Sequence, residues 1–341
     1  TDAEFANIDI PVLSVTGHYD ADQPGAMEFY RRHMRHGAES ATGRHHLIIG
    51  PWDHAGTRNP KREIGGVEFG DASMVDMNEL QLQWFDWTLR NGRRPGFLKD
   101  RIAYYVTGSE KWVYARSLKE IGTGCERRYL DSTDGRARNS GDPGRLVSGA
   151  PTERGQPDRF RYDPLDTRQG HWELTADPDY LTNGEISDAL FENGAVYQTE
   201  PLIETMEIAG CPKLTVWMSL NVPDTDFEVV VAAVLPDGGS IVLSRDLQRA
   251  RYRKSLRSPE AVSPGAVLAY EFTGFSFIAR RLDKGSRIRL TLRCPNSIYL
   301  QKNYNSGGIV AHECGDDAQV AEVTVFHDPD HASFLELPVN R

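Results

Sequence analysis

Two short apolar runs, each ending in a glycine turn and then in an acidic or imidazole side chain, constrain this chain more than anything else in it. Val12-Leu-Ser-Val-Thr16 leads through Gly17 to Asp20, and His46-Leu-Ile-Ile49 leads through Gly50 to His54. Each run has the length of a short buried strand. Between them, from Pro24 to His36, Met27, Phe29, Tyr30 and Met34 recur at the three- and four-residue steps of a helix. Strand, helix, strand implies a parallel pair. In an open parallel sheet, reactive groups gather beyond the carboxyl ends of the strands. Asp20 and His54 both stand at such ends.

A glycine-rich loop (Gly56 to Gly70) follows, and then a second helix from Asp76 to Leu89. Leu80, Trp84, Phe85, Trp87 and Leu89 are expected on its apolar side, and Asn91-Gly92 is its stop. From Arg101 on, short β-rich runs recur: Ile102–Val106, Lys213–Met218, Phe227–Ala232, Arg287–Leu292 and Ala321–Phe326. Turns such as Pro236-Asp-Gly-Gly239 and Asp283-Lys-Gly285 separate some of them. Many short strands with almost no helical periodicity indicate an antiparallel sandwich. Residues Ser132 to Arg159, rich in Gly, Ser, Pro and Arg, read as a long surface loop. The fold class expected is therefore α/β plus all-β, with the α/β part in residues 1–98 and the sandwich in residues 99–341. A length of 341 residues accords with two domains.

The net charge of −10 argues against nucleic acid or an anionic membrane surface as partner, since both need a basic footprint. No stretch approaches the length of a membrane span. Cys125, Cys211, Cys294 and Cys314 show no C-x-x-C spacing, so zinc is not expected. Reduced thiols are favoured over a Cys294–Cys314 bridge, which tilts the compartment slightly towards the cytoplasm.

Several features invite a sharper reading than they support. His45-His46 looks like a metal pair, but adjacent strand residues point to opposite faces. Asp224, Asp226 and Asp237 lack the spacing of a dedicated calcium loop and read as turn residues. Arg249, Arg251 and Arg253 alternate as along a strand and are expected to pair with carboxylates of a neighbouring domain. No metal or other cofactor is expected.

The parallel part is too small to cover both faces of a parallel sheet by itself, so it reads as the second half of a larger fold. The ordered motifs agree with that. I-P-V-L-S-V-T-G-H-Y-D ends at Asp20, L-I-I-G-P-W-D-H at His54, and Y-Y-V-T-G-S-E-K-W at Trp112. Then come Tyr197-Gln-Thr-Glu-Pro-Leu202, Pro223-Asp-Thr-Asp-Phe227, L-Q-R-A-R-Y-R ending at Arg253, Asn303-Tyr-Asn-Ser-Gly-Gly308 and H-D-P-D-H-A-S-F-L-E-L-P-V from His327. Together these resemble the C-terminal portion of the cocaine-esterase-like (CocE/NonD) serine hydrolases, relatives of the X-Pro dipeptidyl-peptidases and the α-amino-acid ester hydrolases.

The resemblance implies the C-terminal part of an α/β-hydrolase domain followed by a jelly-roll β-sandwich. It makes Asp20 the acid and His54 the base of a Ser-His-Asp triad, which in α/β-hydrolases follow the serine in chain order. Asp22 falls at a place where the ester hydrolases carry a carboxylate for the substrate ammonium. The next such place holds Gln23 instead. Trp52 and His18, beside the triad positions, are candidates to line the acyl pocket or to pack the loops.

No G-x-S-x-G elbow occurs. Ser109, Ser148 and Ser306 lack its second glycine or its strand-turn-helix setting. The expected partners are thus a small-molecule ester or amide substrate and an N-terminal segment or second chain that carries the nucleophilic serine. A homo-oligomer formed through the unfinished sheet is a further possibility. The competing reading is a jelly-roll that binds or assembles without catalysis, with Asp20 and His54 as relics.

Overall fold

A computed structural model describes residues 1–132, 134–137, 139, 141–175, 177–183 and 194–340. The chain runs α1 (Asp2–Phe5), β1 (Val12–Tyr19), α2 (Gln23–His36), α3 (Glu39–Thr42), β2 (His45–Asp53), β3 (Glu63–Ile64), β4 (Val67–Glu68), α4 (Met77–Arg90), β5 (Ile102–Val106) and β6 (Lys111–Ala115). A first sheet has the order β1-β2-β5-β6. Its first three strands are parallel and β6 returns antiparallel. Ile102–Val106, expected in the sandwich, therefore belongs to the first sheet, which continues to Ala115. Its composition misleads because a parallel strand covered on both faces is as apolar as a sandwich strand.

Strand β2 is buried almost throughout, for a visible reason. Leu47 and Ile49 pack with Met27 and Tyr30 of α2, while Ile48 and Trp52 join Leu80 and Trp84 of α4. Helix α4 starts on Asp76, whose carboxylate accepts from the Glu79 amide, and stops on Asn91 in the left-handed region. Its apolar stripe is narrower than expected. Phe85 and Leu89 are 54% and 73% exposed, because Met77, Leu80, Trp84 and the partly buried Trp87 form the side that lies against the core. Strand β1 forms one edge of this sheet, with Val12 to Val15 only half-buried.

Gly17 lies where β1 and β2 almost touch. A Cβ built there would sit 2.1 Å from the Trp52 carbonyl oxygen, a backbone atom fixed by its own strand. We expect Gly17→Ala to destabilise the chain by about 1–3 kcal/mol, read as a lowered urea midpoint. An unchanged midpoint would show that the strands can part there.

The rest is β-rich: β7 (Gly124–Asp131), β8 (Gly144–Val147), β9 (Asp158–Tyr162), β10 (Gly194–Gln198), β11 (Met206–Gly210), β12 (Lys213–Leu220), β13 (Asp226–Val234), β14 (Ser240–Arg249), β15 (Leu268–Phe272), β16 (Ile278–Leu282), β17 (Arg287–Arg293), β18 (Ala321–Phe326) and β19 (Phe334–Asn340), with the short α5 (Arg168–Glu173) between β9 and β10. These thirteen strands form one hydrogen-bonded network. Alternation sets the core: Leu214, Val216, Met218 and Leu220 of β12 point inward, as do Val323 and Val325 of β18 and Leu335, Leu337 and Val339 of β19. Among the described residues, all strand pairings in this sandwich are antiparallel except β8 with β10. The stretch 132–159 is not simply a loop, since β8 lies within it and pairs with β7 and β10. Residues 133, 138 and 140 of that stretch lie outside the described residues.

One buried polar knot ties four segments of the sandwich together. Asp158 accepts from Tyr197 Oη at 2.7 Å, Ser132 Oγ at 2.8 Å and the Ala137 amide at 2.9 Å. His327 Nε2 lies 3.1 Å from the same carboxylate. Burial opposes the charge, yet the hydrogen bonds, that from His327 foremost, hold the Asp158 carboxyl below its ordinary range.

The three arginines are not arranged as expected. Strand β14 ends at Arg249, and Ala250–Tyr252 is a 3₁₀ turn. Arg249 pairs with Asp226, Arg251 with Asp224 and Arg253 with Glu260, all within the sandwich. Asn303 Nδ2 donates to both Asp224 and Asp226 at 3.0 Å. Those aspartates are thus ion-pair partners, and Asp237 caps its own turn through the Gly239 amide.

Among the contacts that join the sheets, two are built on main-chain groups of the segment around β16. Beyond β5, the Thr107 amide donates to the Ala279 carbonyl at 3.0 Å and its own carbonyl accepts from the Arg281 amide at 2.9 Å. The second joint runs through Gln23, at the edge of the candidate site.

Candidate functional site

Asp20 and His54 come together where β1 and β2 end. His54 Nδ1 lies 3.0 Å from Asp20 Oδ1. The Asp20 side chain is 4% exposed, whereas that of His54 is 54% exposed. The carboxylate is held on both oxygens: Thr16 Oγ1 donates to Oδ2 at 2.9 Å, and the Asp22 amide donates to Oδ1 at 3.0 Å. His54 is placed by its own turn, in which Asp53 Oδ1 accepts from the Gly56 amide at 2.6 Å and Thr57 Oγ1 donates to the His54 carbonyl at 2.7 Å. An oriented carboxylate on Nδ1 favours the tautomer that leaves Nε2 free to take a proton. Among the described residues no serine hydroxyl is bonded to His54.

Asp22 is exposed, with Oδ2 3.4 Å from His54 Nδ1. Asp20, Asp22 and His54 can each offer a ligand atom, all within 4.8 Å of one another. The existing hydrogen bonds to both Asp20 oxygens favour a carboxylate–imidazole pair over a metal site.

The remaining candidates are packing residues in this chain. Trp52 is fully buried and its indole donates to the Ser73 carbonyl at 3.1 Å, so it has no surface to offer a ligand. His18 is buried against Phe277, with ring centroids 6.2 Å apart, and burial together with the nearby Arg280 charge pushes it down to about 3. It is a neutral imidazole.

His45 and His46 do point to opposite faces. His45 meets His33 at 2.7 Å and Ser14 at 2.8 Å, while His46 sits edge-on to Trp84 and Trp87. Burial lowers His45 to about 3 and His46 to about 4.

Sequence reasoning missed two supports. Thr16 was visible only as a strand residue four before Asp20. Gln23, noted as the place of a lost carboxylate, is instead fully buried, with its amide bonded to Gly17 and to Phe277 of the sandwich.

Residues 97–336 match the family described as the X-Pro dipeptidyl-peptidase C-terminal non-catalytic domain. The chain belongs to that family. The X-Pro dipeptidyl-peptidase C-terminal match leaves Asp20 and His54 outside it. A curated relative matches more of the chain: the cocaine esterase of Rhodococcus sp. (strain MB1 Bresler) is 25% identical over 316 residues, covering 86% of this chain and 51% of that protein.

Among solved structures, an α-amino acid ester hydrolase superposes with a TM-score of 0.81 at 20% identity, over 99% of this chain and 57% of that one. An aminopeptidase from a marine sediment archaeon, Thaumarchaeota archaeon, gives 0.79 at 20% identity, over 100% and 57%. At such identities the likeness is one of fold. The kinship with cocaine-esterase-like hydrolases is thereby met, and this member of the X-Pro dipeptidyl-peptidase C-terminal family spans about half the length of the relatives it matches.

Proposed function

We propose that this chain supplies the acid and the base of a Ser-His-Asp hydrolase that cleaves an ester or amide through an acyl-enzyme. Asp20 orients His54 and stabilises its imidazolium, and His54 takes the proton from a serine hydroxyl outside these 341 residues. The observation that carries this is the pair itself: a buried, doubly held carboxylate 3.0 Å from an imidazole whose other edge faces solvent at the strand ends. On this reading the first sheet, through β6 at Ala115 rather than to residue 98, is the C-terminal part of an α/β-hydrolase domain, the β-rich remainder is a jelly-roll, and β1 is the edge to which the strands of the rest of that domain pair. Asp22, exposed beside His54, is then placed to meet a cationic group of the substrate.

A second reading has support of its own. The family matched by residues 97–336 is described as non-catalytic, which favours a sandwich that assembles with a catalytic part and contributes no chemistry itself.

An intact-mass spectrum with and without a fluorophosphonate probe separates the two. A polypeptide that co-purifies with this chain and takes the probe is the expected result. Turnover of a p-nitrophenyl ester by the 341-residue chain alone, abolished by His54→Ala, would sink the claim that the nucleophile lies elsewhere. Probe-resistant complexes would favour the assembly reading.

A further inference from the structure

We infer that Gln23 is a positioning residue through which the sandwich holds the Asp20–His54 pair in register, a role that rests on the catalytic reading of that pair. Every polar atom of its amide is used. Nε2 donates to the Gly17 carbonyl at 2.9 Å and to the Phe277 carbonyl at 2.9 Å, and Oε1 accepts from the Phe277 amide at 2.6 Å. The side chain is fully buried. A primary amide offers two donors on one side and an acceptor on the other, and the Phe277 amide, which can only donate, fixes which way round it sits.

The same residue closes the turn that carries Asp20. The Gly17 carbonyl receives the Gln23 side chain and also the Asp20 amide at 3.3 Å, while the Gln23 amide donates to the Asp20 carbonyl at 3.0 Å. The turn is therefore held at both ends by one residue, whose main-chain amide bonds Asp20 and whose side chain bonds Gly17. That residue is in turn held by Phe277, 254 positions away, on the segment entering β16.

The chemistry explains why an amide stands here. A carboxylate at this position would face two carbonyl oxygens with nothing to donate, and an apolar side chain would take the side-chain partner from the Phe277 amide and carbonyl and leave the Gly17 carbonyl only the long bond from the Asp20 amide. Loosening the turn moves the Asp20 carboxylate from His54 Nδ1, whereas a defect elsewhere in the sandwich core does not.

The test reads the His54 tautomer, which needs no activity. Imidazole ¹⁵N shifts of the histidine-labelled chain, above the pH at which the imidazoles are neutral, report which nitrogen carries the proton. The His54 signals are those lost in His54→Gln. In the unaltered chain His54 is expected to be Nδ1–H, held on Asp20. In Gln23→Met it should shift by more than half of its population towards Nε2–H, the form a free imidazole prefers. Leu337→Ala, a core defect far from the site in sequence, should lower stability and leave the tautomer unchanged.

A folded Gln23→Met that keeps His54 as Nδ1–H overturns the inference and leaves the catalytic reading standing. An Nε2–H His54 in the unaltered chain overturns both. Should Gln23→Met not fold, the carboxamide protons of Gln23 in the unaltered chain decide. Slow exchange supports the clamp, and exchange as fast as that of an exposed glutamine ends it.

Discussion

Asp158→Ala is expected to cost the chain about 3–5 kcal/mol of unfolding free energy at neutral pH. The carboxylate is the common acceptor of Tyr197, Ser132 and the Ala137 amide and the partner of His327. Removing it leaves Tyr197 and the Ala137 amide buried without their acceptor and leaves Ser132 and His327 only each other, 3.3 Å apart, which is more costly than never having built the knot. Asp158→Asn should recover little, because its amide turns a donor towards other donors.

The pH dependence has a definite sign. Hydrogen bonding holds the folded carboxyl below its ordinary range against the opposing effect of burial. The knot's contribution is therefore present in full above the unfolded value of about 3.9 and is lost as pH falls through the lower folded value. Urea unfolding of both proteins at pH 7 and in acid checks this: the gap between them should narrow on acidification. A gap independent of pH would mean that the charge on Asp158 contributes nothing.

On the proposed catalytic reading, Asp20→Asn should lower the kcat of the hydrolase, assembled with its serine-bearing part, about 10⁴-fold with KM nearly unchanged. An asparagine keeps the shape and, with its oxygen in the Oδ2 place, the bond from Thr16; its nitrogen in the Oδ1 place gives up the bond from the Asp22 amide, presents an N–H to His54 Nδ1 and favours the tautomer whose Nε2 already carries a proton. The base is then blocked rather than displaced. Steady-state kinetics on a chromogenic ester, with the serine-bearing part present, gives the number. A fall of less than about tenfold would remove Asp20 from the proton relay.

Legibility in the sequence followed the range of the interaction. The strand-glycine turns, α2 and α4 were readable because their periodicities and caps are local, as with Asp76 and Asn91 at the ends of α4. The pairing of Asp20 with His54 could be expected because parallel strands bring their ends together. What escaped depends on contacts between distant segments. Ile102–Val106 carries no mark saying which of two buried sheets receives it. Phe85 and Leu89 sit on an amphipathic pattern whose outer half has no cover among the described residues. Arg251 and Arg253 look like a strand until Asp224 and Glu260 supply partners that allow the chain to turn. Gln23 read as a departure from a binding pattern, because its meaning resides in the backbone of Phe277.

The other joint between the sheets is made differently. Thr107 meets Ala279 and Arg281 through main-chain amides and carbonyls, groups that every residue except proline carries in full. Such bonds ask little of most flanking side chains, Gly108 excepted, whose Cβ would lie 2.4 Å from the Arg281 carbonyl oxygen, so many substitutions can accumulate around the joint without moving one sheet against the other. Gln23 sits at the opposite extreme, a contact that one mutation can erase. Drift in sequence would therefore be expected to disengage the site long before it alters the architecture.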